Sequence, residues 1–254
     1  MLNERKKGGG LSPSLNTRLP PVLMYHSVTR SGDRLTPLSV SLERFEKHML
    51  YLKRHNLQGV SMRELHLAAR TGNARGLIGL TFDDGYEDFL DTALPVLKSS
   101  GFSATVFVVA GMLGEENTWE HRSGSRPRLR LLDAEGIREV SRQGMEVGSH
   151  TMSHPRLSEL DAEALDLELN DSRRILGEVL GMPVEGFCYP YGDLDGAAVQ
   201  AVRRAGYAYA CATKKQVEHD IYDWPRMFVG EKDSSLRLWA KLKGLSRIAR
   251  RTVS

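Results

Sequence analysis

Leu77-Ile78-Gly79-Leu80-Thr81-Phe82-Asp83-Asp84-Gly85 is the stretch on which the reading of this chain turns. Its apolar opening, Leu77 to Leu80, reads as a buried strand, and Gly85 lets the backbone turn sharply at the end. Asp83 and Asp84 then emerge at the carboxyl end of a core strand, where α/β proteins place ligands and catalysis. Two adjacent carboxylates repel each other unless a cation or a shared proton offsets the charge. A metal ion is therefore the first partner to seek downstream.

Its further ligands are offered by His150-Thr151-Met152-Ser153-His154-Pro155. Two imidazoles four residues apart can meet one ion, and imidazole with carboxylate suits zinc and its first-row neighbours. Met145 to Ser149 again reads as a strand ending in a glycine-loosened loop, which brings the histidines to the same face as the aspartates. Separately, a paired DD is an ordinary turn and an HxxxH is an ordinary surface or core pair. Their joint position at strand ends favours a site.

Outward from these motifs the pattern alternates. Val22 to Tyr25 reads as a strand, Ser41 to Asn56 as an amphipathic helix, and Ser61-Met62-Arg63-Glu64 as a capping box opening another helix. Tyr86 to Ser99 has a helical apolar face, and Ala104 to Val109 is β-branched and aromatic. Helix and strand then alternate through Asp133–Arg142, Met145–Ser149, Asp161–Leu180, Gly186–Tyr189, Ala197–Ala205 and Tyr207–Ala212. This periodicity gives an α/β class with parallel strands; it leaves a closed barrel and an open sheet equally open. Gly111 to Arg130, with Trp119, reads as a loop insertion.

Bulk properties add limits. With 254 residues the chain suits one substantial domain, and a net charge of +3 makes no demand for nucleic acid. Cys188 and Cys211 supply no disulfide framework and read as buried thiols. No apolar run reaches the roughly 20 residues needed to span a bilayer. Met1 to Pro20 lacks the apolar core of a secretory signal, so it reads as a flexible arm and the protein as cytoplasmic.

TFDDG at 81–85, the His-Thr-x-x-His-Pro block and Phe187-Cys188-Tyr189-Pro190-Tyr191-Gly192, in that order and spacing, resemble the polysaccharide deacetylases, the NodB homology family (carbohydrate esterase family four). The resemblance runs from about Pro21 to Arg226. It implies a distorted (β/α) barrel of seven or eight strands forming one domain over residues 21–235. It also implies a hydrolase that removes acetyl groups from an acetylated glycan with one divalent metal ion, zinc being the first expectation. By the same resemblance Asp83 is the general base, Asp84, His150 and His154 are the metal ligands, and the backbone N–H of Tyr191 stabilises the oxyanion. Thr151 is expected to orient the histidine loop.

Two departures narrow the subfamily. Cys188 stands where the third motif normally has an arginine that pairs with the base, a task a thiol cannot perform. Trp224-Pro225-Arg226 resembles a Pro-Arg element that fills this gap in a subset of the family, which implies Arg226 as the replacement. The histidine of the family's last motif is missing from the C-terminal part, but Leu23-Met24-Tyr25-His26 fits L-x-x-H at the other end. Both features resemble a circularly permuted subset typified by poly-N-acetylglucosamine deacetylases of exopolysaccharide systems, and His26 is then the acid for the leaving amine. N-acetylglucosamine in a glycan or precursor is the expected substrate. An O-acetyl esterase and a decayed sugar-binding module are the alternatives. Residues 236–254 read as a basic amphipathic helix or tail, either seated on the barrel or in peripheral contact with the inner membrane face.

Overall fold

A computed structural model describes residues 19–30, 35–119, 128–213 and 220–248. Most of the predicted N-terminal arm and the last residues of the C-terminal tail lie outside them. In chain order the strands are β1 Val22–Tyr25, β2 Val28–Thr29, β3 Val40–Ser41, β4 Gln58–Val60, β5 Leu77–Phe82, β6 Thr105–Val108, β7 Glu146–Ser149, β8 Gly186–Cys188, β9 Tyr209–Ala212, β10 Trp224–Pro225 and β11 Met227–Phe228. The helices are α1 Leu42–Arg54, α2 Met62–Arg70, α3 Leu94–Ser100, α4 Ala134–Arg142, α5 Ala162–Asp166, α6 Ser172–Leu180, α7 Gly196–Arg204 and α8 Ser235–Ile248.

Hydrogen bonding orders the main sheet β10-β9-β8-β7-β6-β5-β1-β11, with β4 added beside β5. Its ladders are parallel, as βα repetition requires. The end strands β10 and β11 are consecutive in the chain, separated by Arg226 alone. Trp224 and Pro225 pair with β9, whereas Met227 and Phe228 pair with β1. One five-residue segment thus bridges the two ends of a nearly closed barrel of eight parallel strands, and Arg226 sits at the switch.

Inward-facing Val22, Phe107, Cys188, Tyr209, Cys211 and Trp224 fill the barrel together with Met62 and Leu65 of α2. The larger core lies between the strands and the surrounding helices, where Leu23, Tyr25, Phe45, Phe82, Phe89 and Leu97 are all buried. The Ser61–Glu64 capping box forms as predicted. Met62 N and Arg63 N donate to Thr105 and Glu146 at the starts of β6 and β7, so α2 closes the barrel at the amino ends of its strands. The opposite end is left for the site.

Two local expectations need correction. The helix predicted from Tyr86 begins only with a wide π turn at Phe89–Ala93, because Tyr86 and Glu87 are engaged with the segment 130–131. The predicted helix Asp161–Leu180 is interrupted by a second such turn at Leu167–Asp171. At the C-terminus α8 buries Leu238 and half-buries Leu242 against the core, and leaves Leu236 and Trp239 exposed.

Candidate active site

All seven residues singled out in the sequence arrive at the carboxyl end of the barrel. Asp83 and Asp84 follow β5, His150 and His154 follow β7, Tyr191 follows β8, His26 follows β1, and Arg226 comes from the closing segment. Of the five non-glycine residues with positive φ among those described, four are here: Asp84 (74°), Thr151 (71°), His154 (62°) and Tyr191 (60°). Left-handed backbone costs an ordinary residue on the order of 1–3 kcal/mol and persists only where the surroundings over-determine it. Its concentration at one mouth marks that mouth as functional.

Asp84 Oδ1 lies 3.5 Å from His150 Nε2 and 3.4 Å from His154 Nε2, and all three residues are buried. These separations are long for hydrogen bonds. They match the edges of a polyhedron whose ligands sit about 2.0–2.2 Å from a central ion. His150 Nδ1 is 2.7 Å from the Cys188 carbonyl, to which it donates, so Nε2 presents its lone pair inward, the tautomer a metal requires. The donor set therefore fits a divalent ion.

Electrostatics agrees. Burial works to raise the Asp84 carboxyl, but the facing imidazoles of His150 and His154 hold it well below its ordinary value. Burial pushes His150 down, yet the Cys188 sulfur, the Asp84 contact and the Asp83 charge carry it well above. The acidic pair thus draws positive charge to this edge, supplied by a proton or by a cation. His154 is pushed down, chiefly by burial.

Asp83 stands beside this triad and belongs to a different contact set. Arg226 grips it in bidentate fashion, Nη1 to Oδ1 at 2.6 Å and Nη2 to Oδ2 at 2.7 Å. The guanidinium also donates to Thr81 Oγ1 and to the Ala212 carbonyl. Burial would raise the Asp83 carboxyl; the Arg226 charge and hydrogen bonds overcome that and keep it below its ordinary range. Cys188 Sγ lies 2.9 Å from Arg226 Nη2 and 3.6 Å from Asp83 Oδ2. Burial pushes its thiol up to about 11 despite the arginine.

His26 follows the last residue of β1, its ring edge-on to Phe228 at 5.9 Å. Its Nδ1 is buried without a hydrogen-bond partner. The L-x-x-H element and the closing segment are adjacent because β1 pairs with β11. Tyr191 packs its ring against His154 (4.6 Å), with the Arg156 guanidinium 4.5 Å above it. Gly192 after it is obligatory: φ is +65°, and a Cβ there would fall 1.9 Å from Thr213 Oγ1. Thr151 Oγ1 accepts from His154 N at 3.0 Å, the orienting contact expected of it.

Sequence reading left two neighbours without a role. Trp119, noted as a loop residue, stacks on His154 at 4.5 Å and buries its indole Nε1 without a partner. Glu168 accepts from the backbone of Met152 and Ser153 in the histidine loop; nothing in its helical surroundings signals this.

A parallel barrel carrying an acid pair and two histidines at its carboxyl end defines a hydrolase of the deacetylase class. The chain belongs to the polysaccharide deacetylase family, whose profile matches residues 71–210, more than half of its length. Among curated proteins it is 28% identical over 215 residues to YxkH of Bacillus subtilis, classed as a polysaccharide deacetylase, covering 83% of this chain and 71% of that one. It is 24% identical over 208 residues to the poly-beta-1,6-N-acetyl-D-glucosamine N-deacetylase of Staphylococcus aureus, covering 79% and 71%. Among solved structures it superposes on IcaB from Ammonifex degensii with a TM-score of 0.72 at 25% identity, covering 89% and 98%. The fold also matches the Streptococcus pyogenes deacetylase PplD, solved with acetate, at a TM-score of 0.74 and 23% identity, covering 88% and 97%.

Proposed function

We propose that the protein is a metal-dependent N-deacetylase that hydrolyses the acetamide of N-acetylglucosamine units in a glycan or glycan precursor. The observation that carries this reading is the Arg226–Asp83 pair standing next to, and outside, the Asp84–His150–His154 triad. One carboxylate is thereby kept ionised and oriented, as a general base must be. The similarity to the Staphylococcus aureus N-deacetylase supports the sugar amide as substrate.

Asp84, His150 and His154 would hold a divalent ion, zinc or a first-row neighbour, which when bound would polarise the acetyl carbonyl and acidify water. Asp83, aimed by Arg226, takes the proton from the attacking water. The Tyr191 backbone N–H, set by the turn at Pro190–Gly192, stabilises the oxyanion. His26 gives its proton to the departing nitrogen as the C–N bond breaks, releasing acetate and a free amine.

Acetate release from β-1,6-linked N-acetylglucosamine oligomers, abolished by a chelator and restored by metal, tests the reading. Metal binding without acetate from any amide or ester favours a binding module, and preference for acetylated xylan favours the esterase. His26→Ala is expected to lower kcat on the sugar amide by about 10²-fold. It should barely change hydrolysis of 4-nitrophenyl acetate, whose leaving group needs no proton; equal losses on both would remove His26 from the acid role.

The reading extends to α8, for which we propose contact with an anionic lipid surface. Leu236 and Trp239 are exposed on its outer side with Lys243 over the Trp239 ring. Residues 234–254 hold six Lys and Arg and no acid, and the chain's net +3 turns negative without them. Basic residues near an anionic bilayer contribute about 1 kcal/mol each. Sedimentation with phosphatidylglycerol vesicles, weakened by salt and by Trp239→Ser, is expected; equal partition onto neutral phosphatidylcholine vesicles, or none onto either, rejects the contact.

A further inference from the structure

The loop Thr151–His154 is held from two sides. On one side Ala110 N and Gly111 N, just past β6, donate to the carbonyls of Thr151 and Met152, both at 2.9 Å. Gly111 is needed for this approach, because a Cβ there would lie 2.5 Å from the Met152 carbonyl oxygen. On the other side Glu168 Oε2 accepts from Met152 N at 2.7 Å and from Ser153 N at 3.0 Å, while Oε1 takes the Ser153 hydroxyl. One carboxylate thus gathers three donors from two consecutive residues of the loop.

Glu168 reaches the loop from the wide turn Leu167–Asp171 between α5 and α6. Such turns admit one more residue than regular helix, and they recur at functional sites because they re-aim side chains. Leu165 and Leu169 on either side stay buried in the core. The turn therefore keeps the apolar face seated while Glu168 faces the loop.

We infer that Glu168 is a positioning residue that sets the affinity of the metal site by fixing the left-handed loop that delivers His154. Its hydrogen bonds go to Met152 and Ser153 and not to the ligand atoms. Its effect passes through the amides of Met152 and Ser153, which lie between Thr151 and His154, the two residues whose φ values are 71° and 62°. With those amides anchored, His154 Nε2 is held opposite Asp84 before any ion arrives. Partners of this outer kind typically change metal affinity by about 10–100-fold when lost. The inference rests on the metal-binding reading above.

Two substitutions separate positioning from charge. Glu168→Gln removes the charge but keeps a carbonyl oxygen for the two amides and an NH₂ for the Ser153 hydroxyl. Glu168→Asp keeps the charge but is one methylene too short to reach. Zinc affinity of the purified full chain, read by competition with a chromophoric chelator, is expected to fall about 10–100-fold in Glu168→Asp and to stay within a few-fold of the parent in Glu168→Gln. The melting temperatures of the metal-free variants are measured alongside. Loss in Gln with retention in Asp would assign the effect to long-range charge and overturn the proposal, as would unchanged affinity in both. A lowered melting temperature at unchanged affinity would reduce Glu168 to a structural role. If the parent chain binds no divalent ion, the metal-binding reading itself fails, a distinct outcome.

Discussion

Asp83→Asn is expected to lower kcat by about 10²–10⁴-fold, the range for a positioned general base, while leaving bound metal unchanged. The asparagine has the same shape, and Asp83 is not in the Asp84–His150–His154 set, so the ion loses no ligand of that set. What it loses is a group able to take a proton. Arg226, whose side chain is 0% exposed, would then keep its charge without an anionic partner, and breaking a buried pair costs about 3–5 kcal/mol. Kinetics must therefore be taken well below the melting temperature of the variant. Asp84→Asn is the contrasting arm: it weakens a ligand, so activity and metal content fall together. Equal metal loss in both variants would refute the division of the pair into base and ligand.

The acid pair and the histidine block were legible in the sequence for a physical reason, whereas their division into base and ligand is what the resemblance to the family implies. A buried strand such as β5 must end in residues with a purpose if it ends in two carboxylates, and the histidine block repeats the logic after β7. The L-x-x-H element was found through its likeness to the family's last motif, and the pairing of β1 with β11 explains how a residue from one end of the chain comes to lie beside a site completed at the other. The closing segment was harder. Each of its halves pairs over two residues, too short to show a period, and Pro225 argues against a strand. Arg226 was assigned through the missing third-motif arginine together with the likeness of Pro225-Arg226 to the Pro-Arg element of the permuted subset. Glu168 had no signal of either kind. A carboxylate on a solvent-side helix looks like every other, and the turn that re-aims it carries no periodicity.

The contact of Cys188 with both Arg226 and Asp83 implies a rescue. Arg226→Ala leaves Asp83, 4% exposed, without its counter-charge. Burial, now unopposed by the guanidinium, drives its carboxyl upward, so the base is protonated over a wider range. The acidic limb of kcat/KM should move to higher pH, and turnover near neutrality should fall by an order of magnitude or more. Stability follows the same group. In the parent, Asp83 titrates below its ordinary value. Its pair with Arg226 therefore contributes fully above the unfolded carboxylate pKa, about 4, and is lost as pH falls through the lower folded value. The melting-temperature gap between parent and Arg226→Ala should be widest above that pH and should close in acid. Cys188 supplies the second half of the test. Its sulfur already touches both Arg226 and Asp83, and deleting the Arg226 side chain opens the space beside it. Cys188→Arg combined with Arg226→Ala is expected to regain much of the melting temperature and to return the acidic limb toward its parental pH. Cys188→Arg alone should destabilise the fold, since two guanidiniums would then share one buried carboxylate. A double variant no better than Arg226→Ala would show that the arginine must come from the closing segment, and that Arg226 holds the barrel shut at the β10–β11 switch as much as it aims the base.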